Sequence, residues 1–533
     1  MLHNILALCA VAAGAMAAKA TRPHLVFFLA DDYGFADVAY HTEMYGHDPE
    51  MNVINTPNLD SLSAAGIRLE NYYIQPVCSP TRATLLTGRY VFHHGIHVPF
   101  IDSSRSTLPL NETTVAQRLR SAGYATHMIG KWHLGFRTFA HTPTERGFDT
   151  YFGYYAGSQD YFNHQSLCWP GKVENGCFEN TTGPLHEAVT GLDLHRDKAP
   201  ANSSRYSTVL YTDEADAVIS GHAAKYAVGD RINGRVPMSK PMFLYLPHQA
   251  VHVGNVPTET HPEYALDQVP MRYLEPYMHV ANVQRRNLSG MVSAMDEAAG
   301  NVTNSLKAAG MWKDTIFIFS TDNGGPQGDQ ASNYPLRGGK GSLWQGGVRG
   351  IGFVAGGDLA SFGFTGLPRV SYALMHVSDW NPTLCDLAGG CPLDSKLALD
   401  GVSARGALIG GGNSSNRTGI VHDLCLPWMK GSCLEHIPTP DKPGAMYASI
   451  VRGDMKVVVG QNPGDYTPML FNLANDPSET KDIASTVMGA AVVKELMAAL
   501  ADHAKTAEMA HDRDPIDRQS DPRLHGGVWM PWE

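Results

Sequence analysis

The sequence predicts an α/β protein: a large mixed, mostly parallel sheet flanked by helices, with a smaller C-terminal antiparallel-sheet domain beside it. Three observations point there. Leu25 to Ala30, Met242 to Leu246 and Ile316 to Phe319 are apolar at every position, which suits strands buried on both faces. Amphipathic segments that stop at glycines alternate with these runs. Past about residue 400 the texture changes to short alternating segments and turn residues.

At 533 residues the chain can bury a large core, and its length allows roughly two to four domains. Charged residues make up 17%, below the usual ~25%, and 43% are hydrophobic, which describes a globular chain and excludes a disordered one. A net charge of −11 with no Lys/Arg run argues against nucleic acid or a membrane surface as partner. Any anionic ligand has to be held by a few local cations.

Residues 1–20 read as a signal peptide: Ile5 to Ala17 is apolar or small, and Ala15-Met16-Ala17 or Ala18-Lys19-Ala20 offers a cleavage pattern. No later stretch approaches ~18 unbroken apolar residues, so no transmembrane segment is expected. The expected layout is a large domain over 21–420 and a small one over 421–533, in an exported protein, secreted or lysosomal. Cysteine usage agrees. Apart from Cys9 and Cys78, Cys168/Cys177, Cys385/Cys391 and Cys425/Cys433 form three near-neighbour couples suited to local disulfides. Sequons at Asn111, Asn180, Asn202, Asn287, Asn301, Asn413 and Asn416 fit passage through a glycosylating pathway.

The first apolar strand stops at Asp31-Asp32, placing two carboxylates where α/β proteins hold ligands, although a solvated turn is the plainer reading. Pro57 to Gly66 follows as a helix with a glycine stop. Then comes Cys78-Ser79-Pro80-Thr81-Arg82, continued by Ala83-Thr84-Leu85-Leu86-Thr87-Gly88-Arg89. Pro80 suits the first turn of a helix, whose free N–H groups and partial positive charge favour an anion. Arg82 adds a planar fork of donors. A buried thiol beside a turn is the competing reading.

This stretch resembles the sulfatase signature Cys-x-Pro-x-Arg together with its Leu-Thr-Gly-Arg extension. The resemblance implies an alkaline-phosphatase-like fold and sulfuric ester hydrolysis of the arylsulfatase type. It also implies oxidation of Cys78 to formylglycine by a formylglycine-generating enzyme during maturation.

Glu112 to Gly123 reads as a helix and Tyr124 to Ile129 as a strand, followed by Gly130-Lys131-Trp132-His133. If extended, this segment points Lys131 and His133 to one side. Together at a strand end, the two look like sulfatase active-site groups. Gly147 to Tyr154 and Ser158 to Tyr161 resemble the N-acetylgalactosamine-4-sulfatase (arylsulfatase B) branch, and such aromatic loops either rim a carbohydrate pocket or simply pack. After the strand at Pro241 to Leu246 come His248 and His252. The family pattern favours His252, while the spacing alone does not separate the two.

Gln284 to Ala309 is a long helix whose Met291, Met295, Ala298 and Val302 are core filler. Thr315 to Thr321 repeats the opening pattern and ends at Asp322-Asn323-Gly324-Gly325, with the glycines expected to make a tight turn. Leu336 to Lys340 and Leu343 to Gly350 complete the family-like region, except that Gln345 stands where the family commonly carries Glu. Ile409 to Asn416 reads as a linker, and Met446–Arg452 and Met455–Gly460 as a hairpin turned at Gly453-Asp454. Leu470 to Pro477 resembles the sulfatase C-terminal domain, closed by a helix over Val492 to Ala504. The likeness spans most of residues 22–480.

Asp31, Asp32, Asp322 and Asn323 form an all-oxygen set that suits a hard cation, Ca²⁺ before Mg²⁺, with the modified Cys78 as a further ligand. Arg82, Lys131 and Lys340 would offset their charge. As the resemblance implies, the hydrated formylglycine attacks sulfur. His252, with Lys340 beside it, protonates the leaving alcohol, and His133 takes a proton from the second hydroxyl to expel sulfate. The implied substrate is an aryl or carbohydrate (glycosaminoglycan-like) sulfate ester. A formylglycine-dependent phosphonate or phosphodiester hydrolase of the same superfamily is the alternative, and a non-catalytic glycan-binding relative is a third reading that the full ligand set disfavours. His93, His94 and His97 suggest either a second metal site or, the preferred reading, helix-end and loop histidines, since the nearest carboxylate on that side, Asp102, has no evident reason to join them.

Overall fold

The computed structural model describes residues 22–46, 54–168, 189–254, 268–410, 415–429, 437, 440–442, 444–511 and 517–533. The signal segment lies outside them, as do Cys177 and Cys433 of the expected disulfide couples. Cys385–Cys391 is a disulfide, and Cys425 is disulfide-bonded as well.

Ten strands form the large sheet: β1 (His24–Ala30), β2 (Ile67–Leu69), β3 (Ala125–Lys131), β4 (Thr150–Tyr154), β5 (His195–Arg196), β6 (Ala199–Pro200), β7 (Met242–Pro247), β8 (Thr315–Thr321), β9 (Gly352–Gly356) and β10 (Arg369–Ser371). Their spatial order is β10-β2-β9-β8-β1-β7-β3-β4-β5-β6. The centre is parallel, since β1 pairs with both β7 and β8, and β7 with β3. The four segments that end in polar groups therefore finish side by side at one edge.

Every residue of β1 is buried, because alternate side chains enter different cores: Leu25, Phe27 and Leu29 on one face, Val26, Phe28 and Ala30 on the other. The principal helices are α1 (Pro57–Ala65), α2 (Cys78–Thr87), α3 (Val115–Ser121), α4 (Ser207–Tyr226), α5 (Val283–Ala308), α6 (Trp380–Leu387) and α7 (Val487–His503). Met291, Met295, Ala298 and Val302 of α5 are buried in the second core, as the helical spacing required. Helix α3 is shorter than the expected Glu112–Gly123, because Thr114 and Gln117 close a capping box at its start.

A four-stranded antiparallel sheet follows: β11 (Gly419–Cys425), β12 (Tyr447–Arg452), β13 (Met455–Val459) and β14 (Met469–Asn472). It has its own core, into which Leu343, Trp344 and Val348 of the large body insert. The end of the chain turns back to the large sheet, where Trp529 is fully buried and donates to the Ser166 carbonyl at 3.0 Å.

Candidate active site

The adjacent strand tips assemble one buried cluster. Asp31 and Asp32 follow β1, Asp322 and Asn323 follow β8, Lys131 ends β3, and His252 lies beyond β7. Carboxylate oxygens of Asp31, Asp32 and Asp322 lie within 4.8 Å of one another, and so do ligating atoms of Asp31, Cys78 and His252. Cys78 opens α2 and is buried. Burial raises its thiol pKa, although Lys131 and Lys340 pull the other way, so the unmodified sulfur is a poor nucleophile.

The cations are spoken for. Lys131 Nζ donates to Asp31 Oδ2 at 2.6 Å, and Lys340 Nζ lies 2.6 Å and 2.7 Å from the two oxygens of Asp32. Arg82 donates to Asp31 at 3.2 Å, to Asp322 at 2.7 Å and to the Lys131 carbonyl at 3.1 Å. Its fork, expected to face an oxyanion, instead braces two carboxylates from below. Burial drives Asp31 upward, but Lys131, His252, Arg82 and Lys340 outweigh it and hold this carboxyl far below the usual range. Asp322 is pushed up to about 7 by burial and by Asp31 beside it.

The donor set fits a hard cation on one direct observation. Asp31 Oδ1 and Asn323 Oδ1 are buried without a hydrogen-bond partner, although Asn323 Nδ2 donates to Asp32 at 2.8 Å. Two orphaned acceptors among three carboxylates are what an oxygen-seeking ion would satisfy.

The two histidines differ in their free nitrogen. His133 Nε2 lies 3.2 Å from the Phe100 carbonyl, which can only accept, so Nε2 carries the hydrogen. Its Nδ1 is buried and unpartnered. Burial, then Lys131 and Arg82, hold its pKa well below the ordinary value, so the ring is neutral and its Nδ1 is a proton acceptor. In His252, Nδ1 donates to the Val253 carbonyl at 2.8 Å, leaving Nε2 3.5 Å from Asp32. The side chains of His252 (13% exposed) and Lys340 (21%) reach solvent, while Arg82, Lys131 and Asp31 do not. Among these groups, solvent reaches the cluster from the His252–Lys340 side.

Several expectations need correction. Lys131 and His133 do not alternate along one strand: β3 stops at Lys131, and His133 has a left-handed φ of 52°. His248 does not compete for the site. It is fully buried, its ring stacks on Phe28 at 5.5 Å, and burial lowers its pKa to about 4. Gly324 and Gly325 have no positive φ; a Cβ on Gly324 would lie 1.8 Å from the Gly346 carbonyl oxygen, so close approach requires them. His93 and His97 do have carboxylate partners, Asp400 at 2.8 Å and Asp423 at 2.7 Å, both remote in sequence. His97, Asp423 and Cys425 lie together, but the bonded Cys425 is no thiolate ligand. Gln345 reaches Tyr73 at 3.3 Å, and its N–H donates to Glu479 at 2.6 Å.

Sequence reasoning missed two supports. Ser79 Oγ donates to the His133 carbonyl at 2.9 Å and accepts from Phe100 N–H at 3.2 Å. Asn333 joins the loops around the site: it accepts from Gly325 N–H at 2.9 Å and donates to the Gly325 and Gly338 carbonyls at 2.8 Å and 3.2 Å. Ser79 lay inside the signature pentapeptide, whereas no local pattern marked Asn333.

A family model described as Sulfatase matches residues 23–390. Arylsulfatase J of Mus musculus is 36% identical, over 97% of this chain and 81% of its own length. Arylsulfatase A of Homo sapiens is 28% identical, over 91% and 87%. Among solved structures, that of Ps i-CgsB has a TM-score of 0.70 at 24% identity and covers 95% of this chain and 98% of its own.

Proposed function

This chain belongs to the sulfatase family and is a sulfuric ester hydrolase of the arylsulfatase type, and from that premise we propose that it cleaves aryl or carbohydrate sulfate esters with a nucleophile made from Cys78. The observation that carries this reading is the cluster of Cys78 Sγ, an Asp31 oxygen and a His252 nitrogen within 4.8 Å of one another, ringed by Arg82, Lys131 and Lys340.

Oxidised to formylglycine and hydrated, residue 78 would supply one hydroxyl to attack sulfur and a second whose deprotonation releases sulfate. A divalent cation, Ca²⁺ before Mg²⁺, would sit among Asp31, Asp32, Asp322, Asn323 and residue 78 and supply positive charge toward the sulfate oxygens. The two orphaned oxygens of Asp31 and Asn323 support that assignment.

The chain's own groups do the rest. Arg82 fixes the Asp31 and Asp322 carboxylates, so their oxygens cost little reorganisation during reaction. Lys131 and Lys340 offset carboxylate charge that would repel an anionic ester. With Nδ1–H held by Val253, His252 would give a proton to the departing oxygen from Nε2 as the imidazolium, a charge that burial opposes and the neighbouring Asp32 favours, with Lys340 adjacent through Asp32. His133 accepts a proton at Nδ1, because its Nε2–H is held by Phe100.

A sulfated glycan of the N-acetylgalactosamine-4-sulfate kind as substrate rests on the sequence likeness over 147–161 alone, since Tyr151, Tyr154, Tyr155 and Tyr161 there are buried and pack in the fold. The signal-like start and bonded cysteines support a secretory route, either secreted or lysosomal, and maturation by a formylglycine-generating enzyme. Among the described residues no helix is long and apolar enough to cross a membrane. The large body over 21–420 is taken as the catalytic domain.

Mass analysis of the peptide spanning Cys78 tests the nucleophile, with aryl sulfate and aryl phosphodiester assayed on the same preparation. An aldehyde together with sulfate turnover is expected. An intact thiol in fully active protein overturns the reading, and preferential phosphodiester cleavage replaces it with the hydrolase alternative.

A further inference from the structure

Lys340 sits on a loop bounded by two left-handed glycines. Gly338 and Gly341 flank it with φ of 75° and 84°, conformations that glycine adopts freely and that leave the segment intrinsically soft. The large body and the loop itself supply some anchors: Lys340 N–H to the Gly325 carbonyl at 3.3 Å, Gly341 N–H to Pro76 at 2.8 Å, Asn333 to the Gly338 carbonyl at 3.2 Å, Gly346 N–H to the Arg337 carbonyl at 2.8 Å, and the Ser342 hydroxyl to Gly339 at 2.7 Å.

The other anchors come from the small C-terminal body. Lys456 on β13 and Glu479 beyond β14 are both fully buried and paired at 2.7 Å. Lys456 Nζ also donates to the Leu343 carbonyl at 2.6 Å, and Gln345 N–H donates to Glu479 Oε2 at 2.6 Å. On the other side of Lys340, Arg337 donates to the Glu479 carbonyl at 3.1 Å and lies 3.8 Å from the centre of the Trp344 ring. Gln461 accepts from Leu343 N–H at 2.6 Å. Leu343 and Trp344 are themselves core residues of the small sheet. The side chains of Lys456 and Glu479 therefore hold the loop three and five residues after the lysine, and the Glu479 backbone carbonyl holds it at Arg337, three residues before.

We propose that Lys456 and Glu479 are positioning residues for the reaction: a buried ion pair in the C-terminal body that fixes where the Lys340 ammonium stands against Asp32 and the leaving oxygen. The inference rests on the role given to Lys340 above. A buried pair that also bonds loop backbone, Lys456 to the Leu343 carbonyl and Glu479 Oε2 to Gln345 N–H, suits this job. Its stability contribution is small compared with a hydrophobic replacement, but its geometry is narrow, and removing one partner alone leaves an uncompensated charge. A displacement of about 1 Å at a group distant from the bond being broken can cost about a hundredfold in rate.

The test compares K456M/E479Q, which removes both charges but keeps an acceptor for Gln345 N–H, with K340A and the triple variant. Substrates are aryl sulfates graded by the acidity of the departing phenol. The pair variant is expected to lose about tenfold more kcat on poorly acidic phenols than on nitrophenols. K340A should show the same steepened dependence, and the triple variant should be no worse than K340A. Equal loss across the series, or loss that multiplies with K340A, overturns the proposal, because a general weakening of the fold would act that way. If the pair variant does not fold, K456R, which keeps the buried charge but shifts the contact with the Leu343 carbonyl, is expected to show a smaller steepening, and a flat response again overturns the proposal. K340A with wild-type leaving-group dependence would instead overturn the role of Lys340 itself.

Discussion

His133 Nε2 faces the Phe100 carbonyl at 3.2 Å while His133 Nδ1 is buried and unpaired, so one backbone oxygen decides which nitrogen of this ring is basic. His252 is held in the opposite sense, with Nδ1 on Val253 and Nε2 toward Asp32. The two rings thus present opposite nitrogens, Nδ1 of His133 and Nε2 of His252, and only His252 has a carboxylate beside its free nitrogen to favour a second proton.

That difference separates two variants. H252A should slow release of the first alcohol, whereas H133A should release one equivalent rapidly and then stall. Each should lose about 10²–10⁴ in steady-state turnover with substrate binding retained. Rapid-quench measurement of phenol release distinguishes them, and identical progress curves would refute the split roles.

On the proposed reading, the carboxylate cluster should make the protein's stability depend on a divalent ion. Ca²⁺ added to chelator-treated protein at about 100 times its Kd should add about 2.7 kcal/mol. D322N should abolish this gain, since it removes a carboxylate that lies within 4.8 Å of the other two. Thermal unfolding with and without calcium checks it, and an equal rise in the variant would remove Asp322 from the set.

Gly157 is where a side chain would disturb the proton acceptor. A Cβ there would lie 2.8 Å from His133 Cε1 and Nε2, while the Gly157 N–H donates to Asp102 at 3.0 Å. G157A should push the ring and lower kcat by about tenfold, or ~1.4 kcal/mol. Tm should move little, and a kcat equal to the parent's would show that the ring has room.

At the opposite end of the sheet, His24, His127 and His222 sit together, with ring centroids 5.6 Å and 6.3 Å apart. Burial lowers their pKa to about 3, about 4 and about 4, helped for His24 by His222, and for His127 and His222 by Lys225 and Lys240, with Asp149 opposing at His127. Their folded values lie below the unfolded one, so the stability they contribute is complete above about pH 6.5 and is lost as pH falls toward 4. The loss should approach 1 kcal/mol per pH unit for each histidine. Denaturant titrations at several pH values should show H222Q with a shallower slope; an unchanged slope would rule His222 out.

The sequons are not equivalent in the fold. Asn287 is 7% exposed within α5, whereas Asn111 is exposed. Glycopeptide mapping of protein from a glycosylating host should find Asn111 occupied and Asn287 bare.

How much of this was legible beforehand depends on the range of the interaction. Asp31-Asp32 and Asp322-Asn323 could be read because an apolar run that stops at carboxylates is a local pattern, and parallel strands align such stops at one edge. Cys78 and Arg82 could be read from their signature. The use to which Arg82 is put could not, because its partners lie 51 and 240 residues away. His248 and His252 looked alike in sequence, and only the stacking of His248 on Phe28 separates them.

By itself the sequence determined the buried strands, the helices between them, the small second sheet and the residue types at the strand tips, because periodicity and backbone sterics act over a few residues. Tertiary structure alone decided which nitrogen of each histidine is free, which cation braces which carboxylate, and that Lys456 and Glu479 hold the Lys340 loop. Those outcomes depend on distances between atoms far apart along the chain, which packing sets and no local pattern encodes.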